Sequence, residues 1–169
     1  MKIILISGSL RTNSYNTALL KFVNSKYSST ELVDISKIPL FNEDLENTYI
    51  KELIDLKNKI KESDGIIIST PEYNHTMTPV IKNVLDWLSR DDSLVNKKIA
   101  IMSASLSFIG GARAQEDLKK LLLNLGANVF IDEEVYVGSA DKKIKNNIIV
   151  DEFTKNSVIK LVDNFINSL

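Results

Sequence analysis

The sequence predicts an α/β fold: a parallel sheet with helices packed on both faces. Three observations predict it. Short apolar runs of strand length alternate regularly with longer runs of helical spacing. At least one of the short runs, Gly65-Ile66-Ile67-Ile68-Ser69, is apolar without interruption, as a strand buried on both faces should be. Several strand runs end in polar loops that lead directly into a helical run, which is the pattern of repeated βαβ units.

Each element has its own justification. Lys2–Ser7 reads as the first strand. Tyr15–Lys26 places Tyr15, Ala18, Leu19, Phe22 and Val23 at helical spacing. Thr30–Ile35 is a second strand, and Ile38-Pro39-Leu40-Phe41 a connector. Ile50–Ser63 is helical, with Ile50, Leu53, Ile54, Lys57 and Ile60 on one side. Gly65–Ser69 is the third strand. Pro79–Arg90 is a helix, with Thr78 as N-cap and Pro79 in the first turn, where its missing N–H costs nothing. Lys98–Ser103 is the fourth strand. Gly111–Leu125 is a helix closed by Gly126. Ala127–Ile131 is a fifth strand that extends toward Val137, and Lys142–Leu169 reads as mostly helical, with Val158, Leu161, Val162, Phe165 and Leu169 as its clearest face. Five strands and five helices in alternation fit the flavodoxin-like strand order 2-1-3-4-5, within one domain spanning residues 1–169.

Composition narrows the function. With 44% hydrophobic and 25% charged residues, the chain is ordinary for a globular protein. A formal charge of −1 argues against a general nucleic-acid binder, a polybasic membrane anchor and an acidic carrier that docks by charge. There is no cysteine, hence no disulfide, thiolate metal site or cysteine nucleophile. The apolar run at Met1–Ile6 is too short for a signal peptide, and no run approaches membrane-spanning length, so a cytoplasmic location is expected.

Three loops at strand ends carry the chemistry. In open α/β sheets ligands bind beyond the carboxyl ends of the strands. The first loop, Ser7-Gly8-Ser9-Leu10-Arg11-Thr12-Asn13-Ser14, runs into a helix and offers Ser9, Arg11, Ser14, Asn16 and Thr17 to an anion such as a phosphate. It is neither a Walker A loop nor a dinucleotide fingerprint, and a plain strand-to-helix turn capped by Ser14 is the alternative. The second loop, Thr70-Pro71-Glu72-Tyr73-Asn74, is stiffened by Pro71. There Tyr73 offers a wall and the main chain offers polar groups to a flat aromatic ligand. The bland reading of this loop is Tyr73 packed on a helix and Glu72 capping one or pairing with a cation. For Glu72 that structural role is favoured, since a carboxylate beside an anionic ring would be repelled. The third loop, Ser103–Gly111, ends in paired glycines that permit close backbone approach. His75 is the only histidine, and no triad or metal cluster can be built around it. Trp87 lies on an apolar stripe and reads as core or subunit packing, while Lys82 and Asn83 read as solvated.

Taken together, these pieces resemble the NADPH-dependent FMN reductase family, which includes quinone, chromate and azo-dye reductases. The matching residues are Gly8-Ser9-Leu10-Arg11 with Ser14 and Asn16, Pro71-Glu72-Tyr73-Asn74, Lys82-Asn83 with Asp86-Trp87 and Ser89-Arg90, and Gly110-Gly111 with Arg113-Ala114-Gln115; Leu40–Leu45 is similar to the family's connector. The resemblance implies a flavodoxin-like fold, bound FMN, NADPH or NADH as electron donor, a small-molecule acceptor, and a homodimer or homotetramer. It also implies that Ser9, Arg11, Ser14, Asn16 and Thr17 hold the phosphate end, that Pro71, Glu72, Tyr73 and Asn74 contact the ring, and that Ser103 and its neighbours close the far side. No side chain need act as acid or base. Departures occur at Thr78-Pro79 and at Ser105-Leu106-Ser107-Phe108, where Pro-Gly is common in the family. A non-catalytic flavodoxin-type electron carrier and a phospho-receiver module are the competing readings; the latter needs clustered acids after the first strand, where this chain has Ser7-Gly8-Ser9.

Overall fold

The computed structural model describes every residue from Met1 to Leu169. The chain runs β1 (Ile3–Ser7), α1 (Tyr15–Lys26), β2 (Thr30–Val33), a 3-10 turn at Glu43–Leu45, α2 (Lys51–Glu62), β3 (Gly65–Ser69), α3 (Pro79–Leu88), β4 (Lys98–Ala104), α4 (Ala112–Asn124), β5 (Asn128–Val129), β6 (Val135–Val137), α5 (Ala140–Lys143), β7 (Ile144–Lys145), β8 (Ile148–Ile149) and α6 (Glu152–Asn167). The main sheet has the order β2-β1-β3-β4-β5, all parallel, with β6 also on β4. This is the flavodoxin-like order expected from the alternation of elements.

Strand side chains alternate between two cores. Ile4 and Ile6 face α2, α3 and α4, and pack with Leu56, Ile60, Val84, Leu118 and Leu122. Ile3 and Leu5 face α1 and α6, and pack with Leu19, Val23, Leu161 and Phe165. All four residues of β1 named here are at most 1% exposed, so the strand is apolar throughout because both of its faces are covered.

Two expectations are corrected. The fifth strand is not continuous: β5 pairs with Lys98 and Ile99, β6 pairs with Met102–Ala104, and the chain between them leaves the ladder. That stretch carries Asp132, Glu133 and Glu134 in succession. Their carboxylates reach outward instead, Glu133 to Lys160 at 2.6 Å and Glu134 to Lys119. The C-terminal helix is also shorter than expected. Residues 144–149 form a two-residue β-hairpin, with Asn146 at φ 49° and Asn147 at φ 63°, before Asp151 caps α6 by accepting from the Thr154 N–H at 2.8 Å. Asparagine tolerates this left-handed backbone, which type I′ turns require. The signal was present in Asn146-Asn147 between two isoleucine-bearing pairs. Smaller differences are end effects: β2 stops at Val33, α3 at Leu88, and β4 continues to Ala104.

One buried polar side chain sets the first loop against the sheet. Asn16, 2% exposed in the first turn of α1, accepts through Oδ1 from the Ala104 N–H at 2.9 Å and from the Ser69 hydroxyl at 3.0 Å. Its Nδ2 donates to the Ala104 carbonyl at 2.9 Å. Asn16→Ala leaves the Ala104 N–H and the Ser69 hydroxyl without partners. It is expected to destabilise the fold by about 2–3 kcal/mol, read as a lower urea midpoint with unchanged slope.

Candidate functional site

The carboxyl ends of β1, β3 and β4 bring the three loops together. The first loop turns away from β1 at Gly8, whose N–H donates to the Ser69 carbonyl at 2.8 Å. A Cβ on Gly8 would lie 2.5 Å from Thr70 Oγ1, so only glycine allows the two loops to touch here. Thr78, the N-cap of α3, accepts from the Ile81 N–H at 3.3 Å and donates its hydroxyl to the Gly8 carbonyl at 2.7 Å. One side chain thus fixes both a helix start and the neighbouring loop.

Within the first loop the expected residues divide by role. Ser14 caps α1, accepting from the Thr17 N–H at 3.2 Å. The Thr17 and Ser7 hydroxyls lie 2.7 Å apart, and the Arg11 N–H approaches the Ser9 hydroxyl at 3.4 Å. The N–H groups of Thr12, Asn13, Tyr15 and Asn16 donate to no acceptor within the protein. The Asn16 amide is occupied in the sheet, so the part of Asn16 left for an anion is its main-chain N–H. Arg11 is exposed, packs 5.9 Å over the Tyr15 ring, and has no carboxylate within 4.0 Å. It separates two clefts. One, of 470 Å³, lies between the loop, Lys21 and the end of β2; the other, of 280 Å³, lies between Arg11, Asn13, Tyr15 and the β7–β8 hairpin.

The second loop is a tight hairpin. Tyr73 and Thr76 exchange N–H to carbonyl bonds at 3.0 and 3.1 Å, and Asn74 and His75 between them have φ of 50° and 67°. Asn74 and His75 thus occupy the two left-handed positions of a type I′ turn. Tyr73 is 45% exposed at its base. Glu72 turns toward the third loop: its carboxylate accepts from the Arg113 N–H at 3.1 Å and lies 3.5 Å from the guanidinium. Because α4 follows Gly111, which has no side chain to cap it, Glu72 supplies the cap from another loop. This is the structural role favoured for it from the sequence.

The third loop is shaped from behind. Ser103 is fully buried; its hydroxyl donates to the Gly110 carbonyl at 2.6 Å and accepts from Gln115 Nε2 at 2.7 Å. The Ser103 side chain therefore faces the Gly110 turn rather than open space. Gln115 Nε2 also donates to the Val135 carbonyl at 2.9 Å, while its buried Oε1 has no partner. Burial pushes the nearby Tyr136 phenol above its usual value, and the Glu134 carboxylate acts in the same direction. Leu106 and Phe108 are 64% and 88% exposed, and the N–H groups of Glu72, Asn74, Leu106 and Phe108 have no protein acceptor. Donors and apolar surface thus lie along the second and third loops, beyond the carboxyl ends of β3 and β4, where an open α/β sheet forms its binding crevice.

Sequence reading placed Ser7 and Thr70 in the first and second loops without a role for either, missed the β7–β8 hairpin beside the first loop, and took Thr78 only as a cap. Asn83 is not merely solvated: its Oδ1 accepts from the Phe41 N–H at 2.7 Å, and its Nδ2 donates to the Pro39 carbonyl at 2.9 Å. Trp87 is core, 2% exposed, with its indole N–H on the same Pro39 carbonyl. A cavity of 530 Å³ between α2 and the residues that precede β4 lies at the opposite end of the sheet and belongs to none of the three loops.

Residues 1–142 match the family described as NADPH-dependent FMN reductase. An NAD(P)H-dependent FMN reductase of Pseudomonas aeruginosa is 38% identical over 83% of this chain and 79% of its own length. A quinone reductase of Escherichia coli is 32% identical over 91% of this chain and 87% of its own. Among solved structures, the flavoenzyme NAD(P)H:(acceptor) oxidoreductase FerB of Paracoccus denitrificans superposes with a TM-score of 0.89 at 30% identity, covering 98% of this chain and 95% of that one.

The Glu72 cap is directly testable. Glu72→Ala is expected to lower stability by about 1 kcal/mol, while Glu72→Gln, whose amide oxygen still accepts from the Arg113 N–H, should lose less. Equal losses in thermal denaturation would show that charge, not capping, is the source.

Proposed function

The chain belongs to the NADPH-dependent FMN reductase family, and on that premise we propose that it is an FMN-dependent oxidoreductase passing electrons from NADH or NADPH to small acceptors such as quinones, free flavin or azo compounds. The observation that carries this reading is the donor set of the first loop: unpartnered N–H groups, the Ser9, Ser14 and Thr17 hydroxyls, and an Arg11 without a carboxylate partner. Oriented N–H groups and one cation suit a phosphate dianion. The region beside the second and third loops, with Tyr73, Leu106 and Phe108 and free N–H groups of Glu72 and Asn74, suits a flat ring with a polar edge. The donor set fits FMN.

When bound, FMN supplies hydride acceptance and donation, chemistry that no side chain of this protein offers. The protein's part is placement. The first loop anchors the phosphate end. The Pro71–Asn74 segment, held by the Glu72 cap and the Tyr73–Thr76 turn, would hold the ring. Ser103 serves through the Gly110 turn that it holds. No side chain is assigned a proton transfer.

Nicotinamide and acceptor need the same exposed side of the crevice, so they must use it in turn. We place the reaction in the cytoplasm; no helix is long and apolar enough to cross a membrane. A homodimer or homotetramer fits the exposed Leu10, Tyr73, Leu106 and Phe108 around the crevice mouth, which a second copy would cover.

Four measurements check these points. Cofactor released after reconstitution should chromatograph as FMN; FAD, or no flavin, rejects the reading. Arg11→Ala should weaken FMN binding about tenfold or more, the value of a charge-assisted hydrogen bond, without loss of fold. Steady-state rates with NADPH and a soluble quinone should give parallel double-reciprocal lines; intersecting lines mean a ternary complex. Light scattering at micromolar concentration should give a mass above that of one chain.

A further inference from the structure

The β7–β8 hairpin lies beyond the residues that the family match covers, yet its tip reaches the first loop. The Asn147 amide donates to Asn13 Oδ1 at 3.0 Å, and between the two segments lies the 280 Å³ cleft. Two cations line that cleft, Arg11 from the loop and Lys145 from the hairpin. Neither has a carboxylate within 4.0 Å, although ion pairs engage many of the chain's other lysines, Lys57, Lys119 and Lys160 among them. Asp141 lines the same cleft and is likewise unpaired. Asn13, Asn146 and Asn147 add amide groups.

We propose that this cleft extends the anion site of the first loop into a phosphomonoester subsite in which Lys145 is the second cation beside Arg11. The proposal rests on the reading of the protein as an FMN enzyme. A phosphomonoester carries a charge of about −1.5 to −2 near pH 7. Arg11 alone leaves roughly half of that uncompensated, and Lys145 is the only other cation lining the cleft. Asp141 opposes the anion and sets an upper limit on its affinity. Both the 5′-phosphate of FMN and the 2′-phosphate of NADPH have this chemistry.

The test uses the apoprotein and two charge-removing variants. Lys145 is exposed, and its strand pairing is through the main chain, so Lys145→Gln retains the hairpin. Lys143→Gln removes the same charge two residues away, in a different cavity lined by Val135, Phe153 and Thr154. FMN and riboflavin are titrated by fluorescence at fixed ionic strength. Lys145→Gln is expected to weaken FMN about three- to tenfold and leave riboflavin unchanged, with Lys143→Gln affecting neither. Asp141→Asn should tighten FMN. If FMN binding holds but the KM for NADPH rises while that for NADH does not, the subsite stands and the nucleotide supplies the phosphate. Equal weakening of FMN and riboflavin, or no change in any arm, overturns the proposal. If the unmodified protein binds no flavin, the FMN reading fails. Inorganic phosphate then decides the subsite. A rise in melting temperature over chloride at equal ionic strength that Lys145→Gln abolishes retains it, and no such rise ends it.

Discussion

The side chain of Asn16 is the constraint on which the rest of the site depends. Its amide reaches from the first turn of α1 to the ends of two central strands, bonding both main-chain groups of Ala104 and the Ser69 hydroxyl. In a buried setting such a network is stable only if its members find partners, and it then admits one arrangement. The helix start, the first loop and the loops that follow β3 and β4 are therefore set relative to one another before any ligand arrives.

Side chains around the crevice serve mainly the protein itself. Thr78 holds Gly8, Glu72 caps α4, and Ser103 holds Gly110. Each bond joins one loop to another loop, or to the element behind it. What remains free for recognition is largely main-chain N–H, together with Arg11 and the apolar groups at the rim. A site made this way keeps its geometry when a flat ligand leaves, because its walls do not rely on the ligand for their hydrogen bonds.

Much of this was legible from the sequence because periodicity reports burial. The strand runs and the Thr78-Pro79 helix start were readable locally, and the three polar loops were placed by the rule that binding occurs at strand ends. The division of labour within the loops was not readable. Asn16 looks like any polar residue beside an anion loop, and only the proximity of Ala104, far away in sequence, shows that its amide is occupied. Glu72 caps α4, as one reading of the sequence allowed, but its partner at Arg113 depends on the third loop folding back. The hairpin at 144–149 was hidden because Ile144, Ile148 and Ile149 also fit a helical stripe; the left-handed preference of two adjacent asparagines decided the outcome. The break in the fifth strand was hidden because β-branched residues flank both sides of the acidic stretch.

That break bears on how the protein avoids aggregating. A parallel sheet ends in two rows of unpaired main-chain groups, which can recruit strands from other chains. Here β5 offers only two residues before the chain departs through Asp132, Glu133 and Glu134. At the other edge, β2 is four residues long and carries Glu31, paired with Lys2 and Lys59. Neither margin presents the long, flat, uncharged row that edge-to-edge stacking requires. Chain geometry and charge at both margins disfavour growth by strand addition.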